Sequence, residues 1–138
     1  MKYRFIDHTA DLSVEFFGKT IEELFVNSAL SLSEIVFNAT QSEIRNTIGK
    51  IHLNFSAKDL AVLYIDFLRE ILFQINTNFR YFYNIDIDKF LNNEISISCY
   101  YHTLNLDKIA QEIKAVTYHN IGIKKEKGIY SAVVTFDI

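Results

Sequence analysis

KDLAVLYIDFLREILFQIN, residues 58–76, decides the fold. Its apolar residues recur at helical spacing in a stripe so wide that most of the helix surface must pack against a sheet or another helix. Ser56, with Asp59 three residues later, offers an N-terminal cap. From Arg80 onward the apolar period changes from 3.6 to two. YFYNIDIDKF (81–90), EISISCYY (94–101), IKAVTYHNIGI (113–123) and IYSAVVTFDI (129–138) all alternate as half-buried strands do. Asn92-Asn93 and Lys127-Gly128 supply turn chemistry between neighbouring strands. Leu104 to Gln111 reads either as loop or as a helical turn.

Upstream, Tyr3 to Ile6 reads as a short strand. Leu12, Val14 and Phe16 then alternate with Ser13, Glu15 and Phe17 up to Gly18. Thr20 followed by Glu23 is a capping box. It opens a helix whose apolar face is Ile21, Leu24, Phe25, Ala29, Leu32, Ile35 and Val36, ending near Asn38. Ile48, Ile51, Leu53 and Phe55 predict a further strand around Gly49. The sum is an α+β, two-layer domain: about six or seven mostly antiparallel strands with two main helices on one face. No linker or repeat interrupts it, so residues 1–138 are expected to form one domain.

Composition narrows the function classes. Of 138 residues, 49% are hydrophobic and 14% aromatic, as in a folded globule. The net charge of −3 gives no basic field for nucleic acid, so no direct nucleic-acid binding is expected. Cys99 is the one cysteine, which excludes an internal disulfide and a thiolate metal cluster. No stretch reaches membrane-spanning length and the start lacks a signal-peptide core, so a cytoplasmic protein is expected. The four glycines are widely spaced, and no phosphate-binding loop is present.

Three polar stretches need a reason. DHTAD, residues 7–11, sets two carboxylates around His8, Thr9 and Ala10 at a strand-to-strand connection. Alone it serves as a turn that bonds its own backbone. The end of the chain carries Asp137, and Ile138 with its main-chain oxygen and α-carboxylate. If the last strand lies beside the first, Asp11, Asp137 and the Ile138 oxygen converge. These are hard donors suited to Ca²⁺ or Mg²⁺ and poorly matched to zinc. The third stretch, EIKAVTYHN, interleaves Lys114, Thr117 and His119 with Ala115, Val116 and Tyr118. His52 and His102 have no second metal-type residue at helical spacing. Asp86 and Asp88 are expected to face solvent.

DHTAD, IKAVTYH and the terminal FDI, in this order and over this length, resemble the archease family, and the two-helix layout between them fits. The resemblance implies an accessory protein, not an enzyme. Its partner would be the GTP-dependent RtcB-type tRNA-splicing ligase, which it helps to guanylylate and to turn over repeatedly. The resemblance further implies a divalent cation on Asp11, Asp137 and the Ile138 carbonyl: calcium, with magnesium or manganese as alternatives. His8, Lys114 and His119 are candidates for shaping this tip or touching the ligase. The chain departs from the family pattern at YYHTLNLDKIAQE (100–112), where many relatives carry a Gly-containing turn and a histidine. Two other readings compete: a metal-dependent phosphohydrolase using Asp7, Asp11 and Asp137, and a general chaperone-like module.

Overall fold

The computed structural model describes residues 1–6, 11–38, 49–118 and 121–138. Among them the chain forms β1 (Tyr3–Ile6), β2 (Leu12–Gly18), α1 (Ile21–Val36), β3 (Gly49–Ser56) and α2 (Leu60–Asn78). There follow β4 (Arg80–Leu91), β5 (Glu94–Thr103), a 3-10 turn (Leu106–Lys108), β6 (Ala115–Val116), β7 (Ile123–Glu126) and β8 (Ile129–Asp137). The α+β expectation holds. The described strands number eight and divide between two antiparallel sheets.

In the larger sheet β8 is the organiser. One edge pairs with β2, which pairs in turn with β1. The other edge pairs with β6 at its end and with β7 at its beginning. In the smaller sheet β5 lies between β3 and β4. Both hairpin turns have positive φ at both central residues, Asn92 and Asn93 in one, Lys127 and Gly128 in the other. That is the geometry whose twist matches paired strands.

The start of α1 is the expected capping box, whereas the start of α2 differs in detail from the sequence expectation. Thr20 caps α1, its hydroxyl accepting from Glu23 N–H at 3.0 Å, while the Glu23 carboxylate reaches back to Lys19 N–H at 3.2 Å. Asp59, not Ser56, caps α2, accepting from Val62 N–H at 2.9 Å. Ser56 is still in β3, paired with Glu94, and so is not available as a cap. Helix α1 stops at Val36, short of Asn38, because Phe37 turns extended and bridges to Ile109.

Both helices touch both sheets, α1 through β2 and β4, α2 through β6, β3 and β4. The wide stripe of α2 explains this arrangement. Leu63, Tyr64, Ile65, Phe67, Leu68, Ile71, Leu72 and Ile75 are all buried and span most of the helix circumference. Phe25 of α1 is the hub of an aromatic cluster, with ring centroids 5.1 Å from Tyr64, 5.1 Å from Phe67 and 5.3 Å from Phe90. Two buried polar contacts cross between elements, while the buried Ser31 hydroxyl has no hydrogen-bond partner. Tyr64 Oη and Ser28 Oγ are 2.6 Å apart, and Phe82 N–H donates to Ser33 Oγ at 2.9 Å beside a bulge in β4. Burial raises the Tyr64 phenol well above its ordinary range.

Candidate functional site

The β2–β8 ladder runs from Gly18 opposite Tyr130 to Leu12 opposite Phe136. The ladder ends there, and the next residue along each chain segment is an acid, Asp11 directly before β2 and Asp137 as the last residue of β8. Val14, Phe16, Val134 and Phe136 point into the core. The pleat therefore turns Asp137 onto the other face, that of Ser13 and Thr135, whose hydroxyl oxygens are 3.1 Å apart. Further along this face Glu15 is clamped by Arg4, with Nε donating to Oε1 at 2.8 Å.

A third strand fixes the end of β8. Ile113 is fully buried and its carbonyl accepts from Asn76 Nδ2 of α2 at 2.8 Å. The next residue, Lys114, donates its main-chain N–H to the Asp137 carbonyl at 2.7 Å. Ala115 and Val116 then pair with Asp137 and Phe136. Thr117 donates twice to the Thr135 carbonyl, from N–H at 3.0 Å and from Oγ1 at 2.9 Å. With the Asp137 carbonyl taken by Lys114, the next main-chain oxygen along β8 is that of Ile138, a residue 47% exposed.

Four of the six sequence candidates therefore meet at one end of the larger sheet: Asp11, Lys114, Asp137 and Ile138. His8 and His119, with Asp7, lie outside the described residues. The donor types present, two carboxylates at neighbouring strand ends and the Ile138 carbonyl next along the chain, are those that suit a hard cation. Among the described residues no group of three or more His, Cys, Asp or Glu side chains gathers. A cation here would therefore take main-chain and water oxygens besides the two acids.

A second polar cluster lies on the smaller sheet. Ser98 Oγ donates to Asp88 Oδ2 at 2.7 Å and stands 3.0 Å from His52 Nδ1. Asp88 is the extra residue of a bulge in β4, which brings it to Ser98. Here serine sits between acid and imidazole and gives its proton to the acid. A hydrolytic triad needs the imidazole in the middle, so this cluster does not activate a nucleophile. Cys99 beside it is buried in β5, and burial pushes its thiol up to about 12, with Asp88 adding to the shift. It is not a reactive thiol. The sequence did not disclose the Ser13–Thr135 hydroxyl pair or a cleft between α2 and β6. The first was visible only as polar alternation, and the second needed the packing of distant elements.

The fold agrees with what the chain is similar to. The model of the archease protein family (MTH1598/TM1083) matches residues 3–138. Protein archease of Methanosarcina barkeri is 32% identical, the match covering 99% of this chain and 96% of that protein. Protein archease of Archaeoglobus fulgidus is 28% identical over the full length of both. The solution structure of Methanobacterium thermoautotrophicum protein 1598 superposes with a TM-score of 0.76 at 26% identity, covering 99% of each chain. The Thermotoga maritima archease, described as a possible chaperone, shares the fold with a TM-score of 0.59 at 21% identity, covering 96% of this chain and 94% of that one. This chain belongs to the archease family.

Proposed function

We propose that this protein is an accessory activator of a GTP-dependent RtcB-type tRNA-splicing ligase. In this reading it promotes guanylylation of the ligase and its return to further turnovers, and performs no ligation itself. The observation that supports it is the β2–β8 ladder, which ends at Leu12 and Phe136 with Asp11 and Asp137 the next residues, and the end of β8 clamped by Lys114, in a chain of this family. Asp11, Asp137 and the Ile138 carbonyl would hold a divalent cation: calcium, or magnesium or manganese in its place. Such a cation offsets phosphate charge when a nucleotide triphosphate approaches a nucleophile.

The chain's own residues supply position. Three strands are tied together one residue behind the acids, so the donor set reaches a partner already oriented. Lys114, with His8 and His119, is assigned to the surface the ligase meets. A phosphohydrolase reading is weaker, because no nucleophile with an adjacent base occurs among the described residues near the acids. The chaperone-like reading is supported by the description of the T. maritima relative alone.

The test adds the purified protein to a cognate ligase with GTP and divalent ions. Single-turnover guanylylation is followed first, then joining of RNA ends over many turnovers. Acceleration of the first and persistence of the second are expected. An active ligase whose rates do not change would overturn the proposal, and phosphatase activity that persists through purification would favour the enzyme.

A further inference from the structure

The acidic edge is small. A specific protein contact covers about 800 Å² on each partner, far more than two carboxylates and a carbonyl present. The contact must therefore continue onto neighbouring surface, and one neighbour is a cleft of about 470 Å³ between α2 and β6. Lys114 belongs to both: its main-chain N–H clamps Asp137 and its residue lines the cleft.

Two aromatic residues stand at this cleft, Phe73 and Tyr118, each 55% exposed. Phe73 lines it together with Phe55 and Val116. Tyr118 is tied to two further lining residues. Arg69 Nη1 donates to its hydroxyl at 2.5 Å, the guanidinium carbon stands 5.2 Å from its ring centroid, and the hydroxyl lies 3.2 Å from Asp66 Oδ1. An exposed ring already held in place loses little freedom on being covered. Tyrosine, other aromatics and arginine are also the side chains that anchor protein interfaces. The charges at the cleft cancel, Asp66 and Glu70 against Arg69 and Lys114, which leaves no field for a phosphate backbone. β6 is the last strand of its sheet path, an edge where an extended segment can lie.

We propose that the α2–β6 cleft is the second half of the ligase-binding surface. It receives an apolar side chain from an extended segment of that protein. This rests on the ligase reading given under Proposed function. The acids then act on the chemistry of the partner, while the cleft supplies most of the affinity.

Binding of the full-length chain to the purified ligase is measured directly by biolayer interferometry, alongside single-turnover guanylylation. Phe73→Asp and Tyr118→Ala are expected to weaken binding by about tenfold or more, with unchanged Tm and unchanged calcium titration. Ile129→Asp is the control, an exposed apolar residue at the other end of β8, roughly 26 Å along the strand from Asp137. It should bind like wild type. Wild-type binding by both cleft variants, in a ligase that wild-type protein does stimulate, overturns the cleft and leaves the ligase reading standing. Neither binding nor stimulation by wild-type protein overturns both. A dimer in sedimentation that Phe73→Asp dissolves would show a second copy covering the cleft, and also overturns the inference.

Discussion

Thr135 ties three strands together behind the candidate cation site. Its hydroxyl meets Ser13 and its carbonyl takes two bonds from Thr117. Thr135→Val keeps the shape and removes the hydroxyl. It is expected to lower calcium affinity by about tenfold in a calorimetric titration, the scale found for residues that orient ligands, and Thr135→Ser should restore it. Equal affinity for the valine variant would mean that the hydroxyl pair is only structural. Asp11 was legible as an acid in a turn, but nothing local in DHTAD distinguishes it from Asp7. The distinction comes from chain order, because Asp11 directly precedes β2, whose first residue pairs with the neighbour of Asp137. Gly18 shows a different kind of residue constraint. A Cβ there would lie 2.3 Å from the main-chain nitrogen of Leu24, so the strand-to-helix turn closes only around glycine. Gly18→Ala should lower Tm by several degrees, roughly the effect of 1–3 kcal/mol of overpacking.

Elements with strong local signals could be read directly. The period change after residue 79, the capping box at Thr20 and the two positive-φ turns all appear where the sequence places them. Readings failed where a distant partner decides. Ser56 looks like a cap in sequence, yet pairing with Glu94 keeps it in β3, and Asp59 takes the role. Asp59→Ala is therefore expected to cost about 1 kcal/mol, near 4 °C in Tm, whereas Ser56→Ala should cost little. Equal losses in thermal melts would contradict this assignment. The stretch 113–123 alternates like one strand, yet among its described residues only Ala115 and Val116 form β6, and Ile123 already belongs to β7. The place of β6 is set by burial of Ile113, the Asn76 bond and the edge of β8. The division into two sheets was likewise hidden, since alternation gives strands but not which strands pair.

At the scale of the molecule, burial of ionisable groups sets the alkaline limit of stability. The Cys99 thiol is raised from 9.0 to about 12, and the Tyr64 phenol is raised from 10.0, both through burial in the neutral form. Unfolding returns both to ordinary values, so above pH 9 the unfolded chain loses protons that the folded chain keeps. These contributions are fully present below pH 9 and are lost as pH rises toward 12. Tm should hold level up to about pH 9 and then fall, with a shallower fall for Cys99→Ala. A level Tm through about pH 11 would contradict the burial argument. Among the described residues no helix is long and apolar enough to cross a membrane. In the proposed function two acids, ten residues from one end of the chain and one from the other, act together on a partner's chemistry. The direct measurement is single-turnover guanylylation of the ligase with wild-type protein and with Asp11→Asn, both shown to be folded. Stimulation by the variant is predicted to fall to about a tenth of wild type or less, whereas full stimulation by Asp11→Asn would contradict the account.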